Sequence, residues 1–197
     1  AQPQPLNETM IGGTVGGVVE SRNPAFAVGD KVVGMGGWQL YSTATGRGDI
    51  RKVDTTHIPL SAYLGVVGMP GMTAWYGLNK ICEPKAGETV CVDAASGAVG
   101  SVVGQLAKLK GCTVIGVAGG KDKCDYVKNE LGFDDCVDYR DPKVQAKLTA
   151  DAGYSVSLPR LPGRRGRSEV PSGEEKSRSM TGCQTLVARQ RRGSTEL

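Results

Sequence analysis

Residues 90–111 read VCVDAASGAVGSVVGQLAKLKG, and the fold turns on this stretch. An apolar run leads into small residues, with glycines at 97, 100 and 104. Val99, Val102, Val103, Leu106 and Ala107 then recur at three- and four-residue intervals, the mark of one apolar helix face. The stretch therefore predicts a strand over 89–94, a tight turn, and a helix over 98–109.

A turn of this kind needs small residues for three reasons: to bend sharply, to let backbone approach a pyrophosphate, and to pack helix closely on strand. Aligned on the dinucleotide fingerprint, Ala95-Ser96-Gly97-Ala98-Val99-Gly100 has alanine at the first glycine position and keeps the later two glycines. Gly104 lies four residues past Gly100, on the same helix side, and is expected to let the helix lie close to its strand. The helix N-terminus would aim free N–H groups and its positive dipole end at the phosphates. The plainer alternative is a strand–helix turn with no ligand. A preceding strand and a following helix inside a βαβ unit favour the nucleotide.

Working outward, CTVIGVA at 112–118 predicts a second strand, apolar on both faces as parallel strands are. A helix is expected over 121–131, closed by Gly132, then a short strand over 134–139. Asp141-Pro142 is expected to open a further helix to about 150, with Pro142 at its first position. This alternation implies an α/β fold with a parallel sheet. An NAD site usually carries an acid at the end of the second strand, where this chain has Ala118-Gly119-Gly120 followed by Lys121, Asp122 and Lys123. Glycines leave room for a 2′-phosphate and a lysine supplies its counter-charge, which favours NADP. Asp122 on the ribose would favour NAD instead, and both lysines could be ordinary surface residues.

Before this region, residues 10–41 alternate like short strands, with Gly29-Asp30 as turn chemistry, and imply part of an antiparallel barrel or meander. Residues 42–60 read as polar loop. Pro70-Gly71 reads as a break, and Thr73 as the N-cap of a helix to 79. The net charge of +4 is uneven: residues 1–150 hold 15 Lys/Arg against 15 Asp/Glu, and residues 151–197 hold 9 against 5. Any nucleic-acid or acidic-surface binding would fall to the later part, through Arg164, Arg165, Arg167, Arg189, Arg191 and Arg192. That part offers Tyr154 alone for base stacking, so nucleic acid is disfavoured as a partner. The six cysteines form no C-x-x-C pair and there is one histidine, His57, which points to core thiols in a reducing, cytoplasmic compartment and to no metal site. The first ten residues lack a signal-peptide pattern, and no apolar run approaches the roughly 18 residues of a membrane span.

Three segments together, LGVVGMPGMTAWYGL, AASGAVGSVVGQLAKLKG and VIGVAGGKDKCDYVKNELGFDDCVDYRDP, resemble the zinc-independent medium-chain dehydrogenase/reductases. The branch they are most similar to is the NADP-dependent alkenal, prostaglandin and curcumin reductases, and the resemblance covers about residues 10–153. It implies part of a GroES-like catalytic domain over 1–66, part of an NADP-binding Rossmann domain over 67–153, and a disordered, non-homologous tail over 154–197. It implies NADPH-dependent reduction of the α,β double bond of enals and enones without a metal, and it allows a homodimer for the intact family member. By the same resemblance Gly97, Ala98, Val99 and Gly100 hold the pyrophosphate. Lys123 meets the 2′-phosphate, Tyr139 lines the adenosine end, and Met69 and Thr73 lie near the nicotinamide; Gly120, which leaves room for the 2′-phosphate, is counted with them as cofactor-binding. On its residues alone Tyr139 has no role, and Met69 reads as packing.

The chain departs from the family twice. The start of the barrel is missing before Ala1, and after about Gly153 the sequence turns rich in Arg, Ser, Gly and Pro with no sustained period. The break is read as a change of frame or splicing, and the alternative is a genuine disordered tail. A polarising tyrosine used by some relatives would fall in the lost part, so no catalytic residue is assigned. The competing functional readings are a non-catalytic remnant with weak or no nucleotide binding, and a basic tail that binds nucleic acid or acidic surfaces.

Overall fold

The computed structural model describes residues 3–143 and the backbone of residues 178–179 and 186–190. The chain divides into two units, Ala1–Pro70 and Gly71–Leu197.

The first unit carries strands β1 (Thr14–Gly17), β2 (Lys31–Gly34) and β3 (Ile50–Lys52), antiparallel in that order. Val33 of β2 lies opposite Val15 of β1 and Arg51 of β3. The β1–β2 connection closes at Gly29, whose φ of +94° is open to glycine at little cost and whose N–H donates to the Val18 carbonyl over 2.8 Å. β3 falls inside the stretch expected to be loop. Its only apolar residue is Ile50, so no alternating pattern announces it, and its pairing with β2 is made by the backbone. A 3₁₀ turn over Leu60–Leu64 follows.

The second unit is built on a five-stranded sheet whose strands lie in the order Asp135–Asp138, Thr113–Ala118, Thr89–Val92, Leu186–Gln190, Arg178–Ser179. Strands β4 (Thr89–Val92), β5 (Thr113–Ala118) and β6 (Asp135–Asp138) run parallel, joined by helices α2 (Gly100–Leu109) and α3 (Lys121–Asn129). This is the expected α/β architecture with a parallel sheet and flanking helices. Its core is Val90, Val92, Val114 and Val127, with Val103 and Ala107 of α2, and Phe133 from the α3–β6 connection. Complete burial of each large apolar side chain here contributes roughly 1.5–3 kcal/mol.

The remaining two strands, β7 (Arg178–Ser179) and β8 (Leu186–Gln190), come from the region expected to be without structure. β8 pairs antiparallel with β4, placing Val187 opposite Val92 and Arg189 opposite Val90. At these seven residues the structure departs from the expectation. The free edge of β4 offers a row of backbone donors and acceptors, and a segment needs only an extended backbone to pair with it. The rest of the expected tail, and the helix expected after Pro142, lie outside the described residues.

Helix α1 (Met69–Tyr76) continues into a π-helical segment over Gly77–Cys82. The expected break at Pro70 and cap at Thr73 are both corrected by this. Pro70 is the second residue of the helix, where its missing N–H has no intrahelical partner to lose.

Candidate functional site

The turn between β4 and α2 is tight because Ala94 takes φ +50°, a left-handed value that alanine rarely adopts. Its carbonyl accepts the Gly97 N–H over 2.8 Å, and the Ala95 N–H donates to Val117 of β5 over 3.0 Å. The turn is thereby fastened to the C-terminal end of β5. A Cβ at Gly97 would stand 3.0 Å from the Ala94 carbonyl oxygen, and one at Gly100 would collide with that oxygen outright. Gly100 is therefore required by close backbone packing, and at Gly97 a side chain would be tight. α2 bonds internally from Ser101 onward, whose N–H donates to Gly97 over 2.9 Å. The N–H groups of Ala98, Val99 and Gly100 have no protein acceptor among the described residues. They leave a helix start with unpaired donors, the arrangement that can receive an anion such as a phosphate.

Gly104 does something other than expected. A side chain there would fall inside the Phe133 ring, so it makes room for that ring. The close approach of α2 to the β4 end is made by Gly100.

At the far end of β5, Ala118-Gly119-Gly120 meets the residues that follow β6. A Cβ at Gly119 would lie 2.5 Å from the Tyr139 hydroxyl oxygen, so the tyrosine covers this glycine directly. Gly120 has φ +97°, and a Cβ on it would come 3.2 Å from Nη1 of Arg140. The Asp138 carboxylate ties the two chain segments together: its Oδ1 accepts the N–H of Gly120 over 3.0 Å and of Arg140 over 2.9 Å. Those two bonds hold its pKa below the ordinary carboxylate value. Lys123 lies in the first turn of α3, exposed and without a carboxylate partner among the described residues. Lys121 is engaged by Asp125 one helical turn on.

The structure thus gathers Gly120 and Tyr139 at one strand end, with Lys123 on the helix that starts there, and Gly97, Ala98, Val99 and Gly100 at the other turn. Met69 and Thr73 lie on α1, Met69 exposed and Thr73 half-buried. Three residues escaped the sequence reading: Ala94, Asp138 and Arg140. The signal for the last two stood in plain view, since Asp138 and Arg140 flank Tyr139.

Glycines that let backbone and side chains pack closely, free N–H groups at one turn, and cationic side chains with an aromatic at the other are together a donor set suited to a phosphorylated dinucleotide. A cavity of about 530 Å³ in the first unit, lined in part by Val15, Phe26, Leu40 and Tyr41, contains none of these residues and has no part in the site. Among the described residues no cluster of His, Cys, Asp or Glu could hold a metal ion. None of their helices is long and apolar enough to cross a membrane.

Comparison with known proteins adds two family matches: residues 1–53 to the N-terminal domain of oxidoreductase, and residues 98–159 to zinc-binding dehydrogenase. The chain is 51% identical over 124 residues to a 2-alkenal reductase (NADP(+)-dependent) of Nicotiana tabacum, covering 63% of this chain and 36% of that protein. It is 50% identical over 137 residues to the NADPH-dependent curcumin reductase of Escherichia coli, covering 70% and 39%. It is also 50% identical over 153 residues to prostaglandin reductase 1 of Oryctolagus cuniculus, covering 75% and 43%. The chain thus spans less than half the length of these curated relatives. Among solved structures, CurA from Vibrio vulnificus, determined alone and in complex with NADPH, aligns with a TM-score of 0.69 and 47% identity over 77% of this chain and 44% of that one.

Proposed function

Because this chain belongs to the medium-chain dehydrogenase/reductase family, we propose that it binds NADPH and serves the reduction of the α,β double bond of enals and enones. One observation carries the reading. The β4–α2 turn pairs glycines packed closely on the Ala94 carbonyl with the free N–H groups of Ala98, Val99 and Gly100.

In this proposal the N–H groups of that turn hold the pyrophosphate, assisted by the positive end of α2. Gly119 and Gly120 leave space at the adenosine end, Tyr139 lines it, and Lys123 supplies positive charge to the 2′-phosphate. Met69 and Thr73 are assigned to the nicotinamide end. NADPH, when bound, supplies the hydride. The chain's own part is to position the cofactor, and no side chain is assigned a proton-transfer role. Both named NADP-dependent relatives and the NADPH complex of CurA support the choice of cofactor. A cytoplasmic setting belongs to the same proposal: Cys82, Cys91, Cys112, Cys124 and Cys136 are free thiols, the first four buried, as a reducing compartment keeps them.

The test is calorimetric titration of the chain with NADPH, beside NADPH oxidation in the presence of a simple enal. Saturable NADPH binding is expected. Gly97→Val should abolish it while the far-UV spectrum is retained, because a branched side chain would crowd the Ala94 carbonyl and displace the N–H groups of the turn. Binding unchanged by Gly97→Val would make the turn purely structural.

A further inference from the structure

We propose that Arg140 is a second recognition residue for the 2′-phosphate, closing on the Gly119-Gly120 turn from the β6 side as Lys123 does from α3. The inference rests on the NADPH reading above and adds a residue to it.

Its basis is the space over Gly120. The guanidinium of Arg140 stands where a side chain at position 120 would point, with Nη1 3.2 Å from the ideal Cβ. The residue is exposed, and the guanidinium makes no ion pair among the described residues. Neighbouring cations behave differently: Lys108 pairs with Asp134 at 2.7 Å and Lys128 with Asp135 at 2.9 Å. The nearest acid in sequence, Asp138, has one carboxylate oxygen occupied by the backbone N–H groups of Gly120 and Arg140. It therefore fixes the Arg140 backbone beside the turn, and although its charge and the guanidinium attract each other, the two stand beyond ion-pair distance. The guanidinium also stands 6.0 Å from the centre of the Tyr139 ring, at the outer limit of a cation–π contact. That ring itself covers Gly119.

The chemistry follows from charge and shape. A phosphate monoester is an anion with three acceptor oxygens, and guanidinium meets such oxygens with two parallel N–H donors. A lysine contributes a point charge only. Arg140 and Lys123 would approach the phosphate from two elements, and an unphosphorylated ribose offers Arg140 only neutral hydroxyls in place of an anion. Arg140 therefore acts on the choice between NADPH and NADH and leaves the shared pyrophosphate contacts alone.

The experiment titrates the full chain and its Arg140→Ala, Arg140→Lys and Lys123→Ala variants with NADPH, NADH, adenosine 2′,5′-bisphosphate and AMP by calorimetry. Arg140→Ala should weaken both 2′-phosphorylated ligands about tenfold, as expected for loss of a charge-assisted contact, and leave NADH and AMP unchanged. Arg140→Lys should fall between, and Lys123→Ala should show the same selectivity. NADPH affinity in Arg140→Ala equal to that of the parent chain would overturn the assignment. So would an equal loss for NADH and NADPH, which would mean the substitution had disturbed the turn. A parent chain that binds none of the four ligands would overturn the NADPH reading itself, and this inference with it.

Discussion

Ala94 is the residue at which the backbone of the site is held against its preference. With φ at +50° and no side-chain polarity to offset it, the left-handed conformation costs roughly 1–2 kcal/mol relative to glycine, part of which a glycine would return as unfolded-state entropy. Ala94→Gly is therefore expected to raise stability by up to about 1 kcal/mol in urea denaturation, with NADPH affinity unchanged. A loss of stability would show that the alanine methyl makes a contact worth more than the strain. This strain was invisible in the sequence, because an alanine next to a glycine motif reads as any small residue. The glycines at 97 and 100 were legible, since their spacing and their place between strand and helix state the requirement. Arg140 was not. Its position over Gly120 depends on the register that sets Ala118 of β5 beside Asp138 of β6, which residue spacing alone does not give.

Among the elements, α2 is locked by one aromatic ring. The Phe133 side chain is buried and fills the space left by the absent side chain of Gly104. Gly104→Ala would force the ring out of place, with a cost of about 1–3 kcal/mol for overpacking, read as a lowered denaturation midpoint. A neutral or stabilising outcome would mean the ring has room to move. A small residue at 104 was expected against the strand and not against Phe133, because helix periodicity shows which side faces inward and not what lies there.

The β5–β6 junction makes a pH-dependent contribution. Backbone N–H donors from Arg140 and Gly120 hold the Asp138 carboxylate below its ordinary value of 3.8. A carboxylate depressed in the folded state stabilises the fold fully above the unfolded pKa, and that stabilisation is lost as pH falls through the lower folded value. Asp138→Asn keeps an acceptor oxygen and removes the charge. The variant should therefore be less stable than the parent near neutral pH, and the gap between their midpoints should narrow at pH 3 and below. A gap that stays constant with pH would remove the charge from the account. Boundaries were the weaker part of the reading at this scale. Pro70 looked like a stop and proved to be a helix start, since proline is barred from a helix interior and accepted in its first turn.

For the molecule as a whole, cofactor binding and stability should be linked. A ligand that binds only the folded state adds about 2.7 kcal/mol at a concentration 100 times its dissociation constant. NADPH at that excess should slow amide hydrogen exchange in β4, β5 and α2, whose connecting turns carry the candidate contacts. NADH at the same concentration should protect less. Equal protection by both would argue against discrimination at the Gly119-Gly120 end. The parallel sheet was legible at this scale because its strands are near-continuous apolar runs separated by helical periods. The pairing of β8 was not, since LVARQ is too short to carry a period and its partner lies far away in the chain. That distance has a kinetic meaning. β4 meets β5 across one helix, whereas its contact with β8 closes a loop of roughly 100 residues, and contacts of such long separation are expected to form late in folding. During synthesis β4 and its glycine turn leave the ribosome long before β8 exists, so until then the outer edge of β4 has to wait uncovered.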